Sequence, residues 1–112
     1  MISAKGLMKV IEEIEKIEIA NREEVYSQLE SAIKDKRIYI FKNEEKKEIG
    51  FVTWQERYAS GNLYIFVNNL VIMKEYKGQA NLLKFRTLLK EKYPTLFRLY
   101  WKNRKHKRFV YN

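Results

Sequence analysis

Leu70-Val71-Ile72-Met73-Lys74-Glu75-Tyr76-Lys77-Gly78-Gln79-Ala80 is the stretch in which this sequence changes its periodicity. Before it, Leu63 to Met73 is a long run with β-branched and aromatic residues at both alternating positions, as expected of a central strand covered on each face. After it, Leu82, Leu83, Phe85, Leu88, Leu89 and Tyr93 recur at helical spacing, which predicts a helix over about Gln79 to Tyr93 with Pro94 as its stop. Lys90 and Lys92 suit the negative end of that helix. The polar connection between the two contains Gly78. A glycine-containing loop that opens a helix turns unpaired backbone N–H groups outward at the positive end of the dipole, and phosphates bind such places. Asn68-Asn69 interrupts the strand, and because Asn tolerates unusual backbone geometry the pair is a candidate β-bulge; two plain polar strand positions are the alternative.

Working outward, Leu7, Val10, Ile11, Ile14 and Ile17 mark an amphipathic helix from about Ala4. Asn21 with Glu24 reads as a capping box for a second helix over about Arg22 to Lys36, with Val25, Leu29, Ala32 and Ile33 as its apolar stripe. From Arg37 the period is two. Ile38 to Phe41, the polar Asn43 to Lys47, and Ile49 to Trp54 predict a β-hairpin, with Ala59-Ser60-Gly61-Asn62 leading to the next strand. Past Pro94, Phe97, Leu99 and Trp101 alternate with polar partners, a basic stretch turns, and Phe109-Val110-Tyr111 returns as a second hairpin. The order is α-α-β-β-β-α-β-β, an α/β (α+β) class with a mixed central sheet, and the strand–helix–strand unit in its second half is expected to cross over right-handed.

A chain of 112 residues supports one core, so the expectation is one domain over 1–112, and a hydrophobic content of 46% is enough to fold it. With no cysteine, disulfides, thiolate metal sites and cysteine nucleophiles are excluded. No run has the length of a signal peptide core or a membrane span, so a soluble, cytoplasmic protein is expected, with no membrane partner. The net charge is +9, but residues 1–60 hold 11 Lys and Arg against 12 Asp and Glu, whereas residues 61–112 hold 12 against 2. The second half therefore expects an anion: a nucleic-acid backbone, an anionic surface, or the phosphates of a coenzyme A-type ligand.

The segment from Leu70 to Ala80 resembles the cofactor-binding stretch of GNAT N-acetyltransferases, which reads leucine-x-valine-x-proline-glutamate-tyrosine-arginine-glycine-x-glycine at the end of the fourth strand. Leu70, Ile72, Glu75, Tyr76, Lys77 and Gly78 match or are close substitutes, and the element order agrees over about Arg22 to Tyr111. The likeness extends to the small, truncated GNAT-like proteins encoded in bacteriophages and prophages. What it implies is transfer of an acyl (acetyl) group from a coenzyme A thioester to an amine, on a protein or a small molecule. By resemblance, Val71 and Met73 supply backbone contacts to the pantetheine arm, and Lys77, Gly78, Gln79, Ala80 and Asn81 form the phosphate cradle. The chain departs from the pattern in placing Ala80 and Leu82 where the family has its second and third glycines, which makes the loop degenerate. Where the family has a further helix after the fifth strand, often bringing the tyrosine that protonates the leaving thiolate, this sequence is expected to turn directly into a hairpin.

Acyl transfer to an amine needs a proton acceptor and a donor for the thiolate. Glu56 is the candidate base, directly or through water, and Tyr100 and Tyr111 are the candidate acids; each has an ordinary alternative as a solvated carboxylate or a half-buried aromatic. His106 lies among Arg104, Lys105, Lys107 and Arg108 and reads as a turn residue. The second functional reading is a non-enzymatic nucleic-acid-binding module that grips phosphates with Lys102 to Arg108 and stacks bases on Trp101, Phe109 and Tyr111. A second copy of the chain is a further partner to test.

Overall fold

The structure, a computed structural model, describes residues 2–102 and 108–111, and the side chains of residues 2–101. Helix α1 (Ala4–Glu15) begins where the Ser3 hydroxyl accepts the Gly6 N–H at 3.1 Å and ends at Lys16, in left-handed geometry at φ 54°. Glu12 ties down the connection, accepting the Ile19 N–H at 3.1 Å and an Arg22 guanidinium N–H at 2.8 Å. Helix α2 (Arg22–Lys34) follows. The expected Asn21 cap does not form: with φ −100° and ψ 66° its backbone lies outside the extended geometry that aims a capping side chain, and no capping bond is made. The helix stops short of Lys36, whose positive φ of 56° turns the chain into the sheet.

Strand β1 (Ile38–Lys42) pairs antiparallel with β2 (Glu48–Ala59) across a turn in which Asn43 Oδ1 accepts the N–H groups of Glu45 and Lys47, both at 2.9 Å. Strand β2 runs well past Trp54 because Gln55 to Ala59 pair with β3 (Asn62–Ile72). Ser60 and Gly61, at φ 53° and 80°, make the two-residue turn between them, as the right-handed twist of a hairpin demands. A single 3-10 turn (Lys74–Tyr76) leads to helix α3 (Gln79–Lys92), and β4 (Leu96–Lys102) returns parallel to β3. Strand β5 (Arg108–Tyr111) completes a mixed sheet of order β1-β2-β3-β4-β5.

Alternation along the strands sends side chains to two cores. Val52, Trp54, Ile65, Val67, Ile72, Leu99 and Trp101 meet Phe85 and Leu89 of α3 on one face. Phe51 and Val71, from intervening positions, meet Leu7, Ile11 and Leu29 of α1 and α2 on the other. The second face is only partly covered: Tyr64, Phe66 and Tyr100 lie beyond the helices and stay half-buried. The expectation of a central strand covered on both faces therefore holds for the far end of β3 and not for its beginning.

Gly50 marks a register shift between β1 and β2, where Ile49 is an extra residue. A Cβ on Gly50 would lie 2.1 Å from the Val71 carbonyl oxygen and 2.7 Å from the Ile72 Cα, so only glycine lets β2 and β3 close there. Gly50→Ala is expected to destabilise the fold by about 2 kcal/mol or more, read as a fall in Tm, whereas Gly78→Ala, with nothing within 4 Å of its Cβ, should leave Tm nearly unchanged.

Candidate functional site

The sheet forks between β3 and β4. Among the described residues the parallel ladder runs from Leu63↔Leu96 to Val67↔Trp101, while β3 continues through Ile72 paired with β2. At the same point the antiparallel register jumps from Trp54↔Val67 to Thr53↔Asn69, which makes Asn68 an extra residue, the bulge suggested by the Asn pair. Asn69 holds it in place, its side-chain amide donating to the hydroxyl of the buried Thr53 at 2.9 Å. Sequence reasoning had no means of pairing Thr53 with Asn69, since the bulge that opposes them is a property of register.

Past the bulge, one edge of β3 has no partner strand among the described residues. The Met73 N–H donates to the Ile49 carbonyl at 2.9 Å, which fixes which residues face β2. In an antiparallel ladder the polar groups alternate sides, so Val71 also faces β2, and the N–H and C=O groups of Leu70 and Ile72 turn to the open side of the fork. Val71 and Met73, the residues expected to offer backbone contacts, thus turn their N–H groups to β2, and Leu70 and Ile72 are the residues whose polar groups face the fork. The Met73 carbonyl is committed as well, accepting the Tyr76 N–H at 2.9 Å.

The same end of β3 delivers the chain to the start of α3. Gly78 caps that helix in extended geometry and offers no side-chain acceptor, so the N–H groups of the first turn, at Gln79, Ala80 and Asn81, point outward. Lys74 through Ala80 are exposed, no acidic residue lies in the first turn, and Lys74, Lys77 and Lys84 supply positive charge around it. Asn81 braces the loop by donating to the Tyr76 carbonyl at 2.9 Å, and Asn43 of the first hairpin reaches the Tyr76 hydroxyl at 3.3 Å. Leu82, at the position of a missing glycine, packs into the core under α3 and so leaves the helix mouth clear.

The other expected site residues are dispersed. Glu56 projects to the α3 face, opposite Ile65, where its carboxylate accepts the hydroxyl proton of Tyr93. Tyr93 in turn accepts the Trp54 indole N–H at 3.0 Å, and Lys92 lies 5.7 Å from the Trp54 ring. Tyr100 is on the opposite face, one residue before the fork, stacked on Phe66 with ring centroids 4.9 Å apart. Tyr111 pairs with Leu99, and its side chain lies outside the described residues, as do Phe109, His106 and the rest of the basic turn. Trp101, expected to stack bases, is buried against Phe85 with centroids 5.5 Å apart, because the alternation of β4 turns it toward α3, so its ring is not offered to a base.

Burial and the neighbouring Glu56 carboxylate push the Tyr93 phenol up to about 12 from an ordinary 10.0. The folded state thus holds this proton more tightly than the unfolded chain does. Its contribution to stability is complete below about pH 10 and is lost as the pH rises toward 12. Tyr93→Phe should lower stability by about 1–3 kcal/mol at pH 7, since Trp54 loses its acceptor, and should flatten the fall in Tm measured between pH 10 and 12.

No family model matches the sequence, and no curated protein does. Solved structures do match. A probable acetyltransferase is 18% identical over 89% of this chain and 70% of its own, with a TM-score of 0.60. A possible acetyltransferase from Clostridium difficile 630 is 13% identical over 91% of this chain and 71% of its own, TM-score 0.61. A GNAT family N-acetyltransferase from Escherichia coli, solved in complex with CoA, is 14% identical over 90% of this chain and 57% of its own, TM-score 0.57. On the strength of its helix-flanked mixed sheet and these likenesses in architecture, the chain has a GNAT-like fold.

Proposed function

We propose that this chain transfers an acyl group from a coenzyme A thioester to an amine in the fork between β3 and β4. The observation that carries the reading is a coincidence of place: the strand edge that no described strand covers after Asn68 and the start of α3, which has no side-chain cap and follows the loop of Lys74 and Lys77, lie at the same end of β3. An extended, amide-bearing arm that ends in phosphates requires that combination, hydrogen-bonding groups along a strand edge followed by an anion site. The residues present fit such a group. The Ala80 position is exposed, and Leu82 is turned into the core, so neither replacement for glycine blocks the helix mouth.

In this reading the backbone of Leu70 and Ile72 binds the arm, the N–H groups of Gln79, Ala80 and Asn81 bind the phosphates, and Lys77 adds charge. The bound thioester supplies an activated acyl carbon. An N–H of the parted strand stabilises the negative charge that develops on the acyl oxygen as the amine attacks. The amine's surplus proton leaves to water, and Tyr100, paired one residue before the fork, is the phenol assigned to protonate the thiolate. Glu56 takes no part in this assignment, because its carboxylate is held by Tyr93 on the other face of the sheet.

Acetyl-CoA at about 100 times its Kd is expected to stabilise the protein by about 2.7 kcal/mol, a shift of several degrees in Tm. The absence of a shift at millimolar acetyl-CoA or CoA contradicts the proposal. Gly78→Asp separates binding from folding: an aspartate suits a helix N-cap, so Tm without ligand should hold or rise, while its charge in the anion site should weaken acetyl-CoA binding about tenfold or more.

A further inference from the structure

The face of the sheet that α1 and α2 leave uncovered runs directly up to the fork, and its composition is one-sided. Its first row across the strands is Arg57, Tyr64 and Arg98; the second is Gln55, Phe66 and Tyr100; the third, at the bulge, is Thr53 and Asn69. Tyr100 stacks on Phe66 at 4.9 Å and on Tyr64 at 6.1 Å, and Phe97, half exposed, closes edge-on against Tyr64 at 5.6 Å. Phe66, Tyr100 and Tyr64 therefore stand nearly parallel, with interplanar angles of 10° and 28°, and turn faces toward one another, while Phe97 lies across Tyr64. What they offer to solvent is their edges, the electropositive part of an aromatic ring, which favours the face of another planar group.

Among the described side chains of these rows, the two cations sit over aromatics. The Arg57 guanidinium carbon is 5.7 Å from the Phe66 centroid, with Gln55 accepting from it at 3.4 Å, and that of Arg98 is 5.6 Å from the Phe97 centroid. No carboxylate stands among the described strand residues of these rows; Glu56, the nearest in sequence, projects to the α3 face. Register supplies the distances: the Phe66 row is one residue behind the fork, and the Arg57–Tyr64–Arg98 row is three, or about 10 Å.

We infer that the acyl acceptor is an amine that also carries an anionic group, a carboxylate or a phosphate, about 10 Å from its nitrogen, with a planar apolar body between. This rests on the acyl-transfer reading above. The amine lies in the fork, the planar body rests on the ring edges of Phe66 and Tyr100, and the anion meets Arg57 and Arg98. Polycationic acceptors such as polyamines are disfavoured by the same two arginines. Arg57 and Arg98 are accordingly specificity-determining residues, remote from the reacting atoms.

The test measures thiol release from acetyl-CoA with four amines: tyramine O-phosphate, 4-(2-aminoethyl)benzoate, tyramine and spermidine. The expected kcat/KM is at least tenfold higher for an anionic aromatic amine than for tyramine, and lowest for spermidine; the first two compounds tell phosphate from carboxylate. Arg57→Gln combined with Arg98→Gln should raise KM for the anionic amines about tenfold or more, change kcat/KM for tyramine far less, and leave the acetyl-CoA shift in Tm intact. Spermidine or tyramine used as well as the anionic amines, or a double variant with an unchanged KM, overturns the inference while the acetyl-CoA shift preserves the transfer reading. Loss of that shift in the unaltered protein overturns both.

Discussion

An antiparallel ladder sets one residue against one residue, and β3 breaks that rule between Val67 and Asn69. The extra Asn68 slips the alternation of backbone polar groups by one place, so that Leu70 rather than Asn69 follows Val67 in facing away from β2. A parallel neighbour in register with the first half of β3 cannot also be in register with the second. Strand β4 follows the first half and parts from the second, and the open edge of the fork results. The Asn69 bond to buried Thr53 gives the bulge a polar partner that would otherwise be missing, since a buried hydroxyl left alone is costly.

The remainder of the architecture serves to leave that edge open. A strand that lacks one neighbour needs its side chains buried to stay in place. Val71 is gripped by the cluster under α1 and α2, and Ile72 by the cluster under α3, so the backbone is fixed on an edge that no described strand pairs. Gly50 lets β2 approach within the reach of no larger residue, and the Met73 bond to Ile49 carries the pairing to the last position before the loop. The loop then delivers α3 with its positive end beside the open edge. The Tyr93–Trp54–Glu56 group clamps the opposite end of α3 to β2, so both ends of the helix are anchored.

The elements were legible in the sequence because each has a strong period: the apolar stripes of α1 to α3 and the alternation in β1 to β5 mark the order found. The loop at Gly78 was legible for the same reason, as a break between two periods. The phase past the bulge was not. An Asn-Asn pair announces an irregularity without saying which residue is extra, and that one place decides whether Met73 or Ile72 faces the fork. Trp101 shows the same limit. Alternation says that it shares a face with Leu99, but which face lies under α3 depends on the crossover, and the indole went to the core. Tyr64 and Phe66 were read as residues of a strand covered on both faces, since nothing local reveals that the first two helices end short of them. Leu82, an obstruction in the bare motif, is harmless because its helical position turns it inward.

Residue-resolved amide hydrogen exchange tests the fork most directly. The account predicts protected amides at Val71 and Met73, which bond to β2, and fast exchange at Leu70 and Ile72, with the latter two slowed when acetyl-CoA is added. Leu70 and Ile72 amides as protected as those of Val71 and Met73 in the free protein would mean that the edge is already paired, and the account would be wrong at its centre.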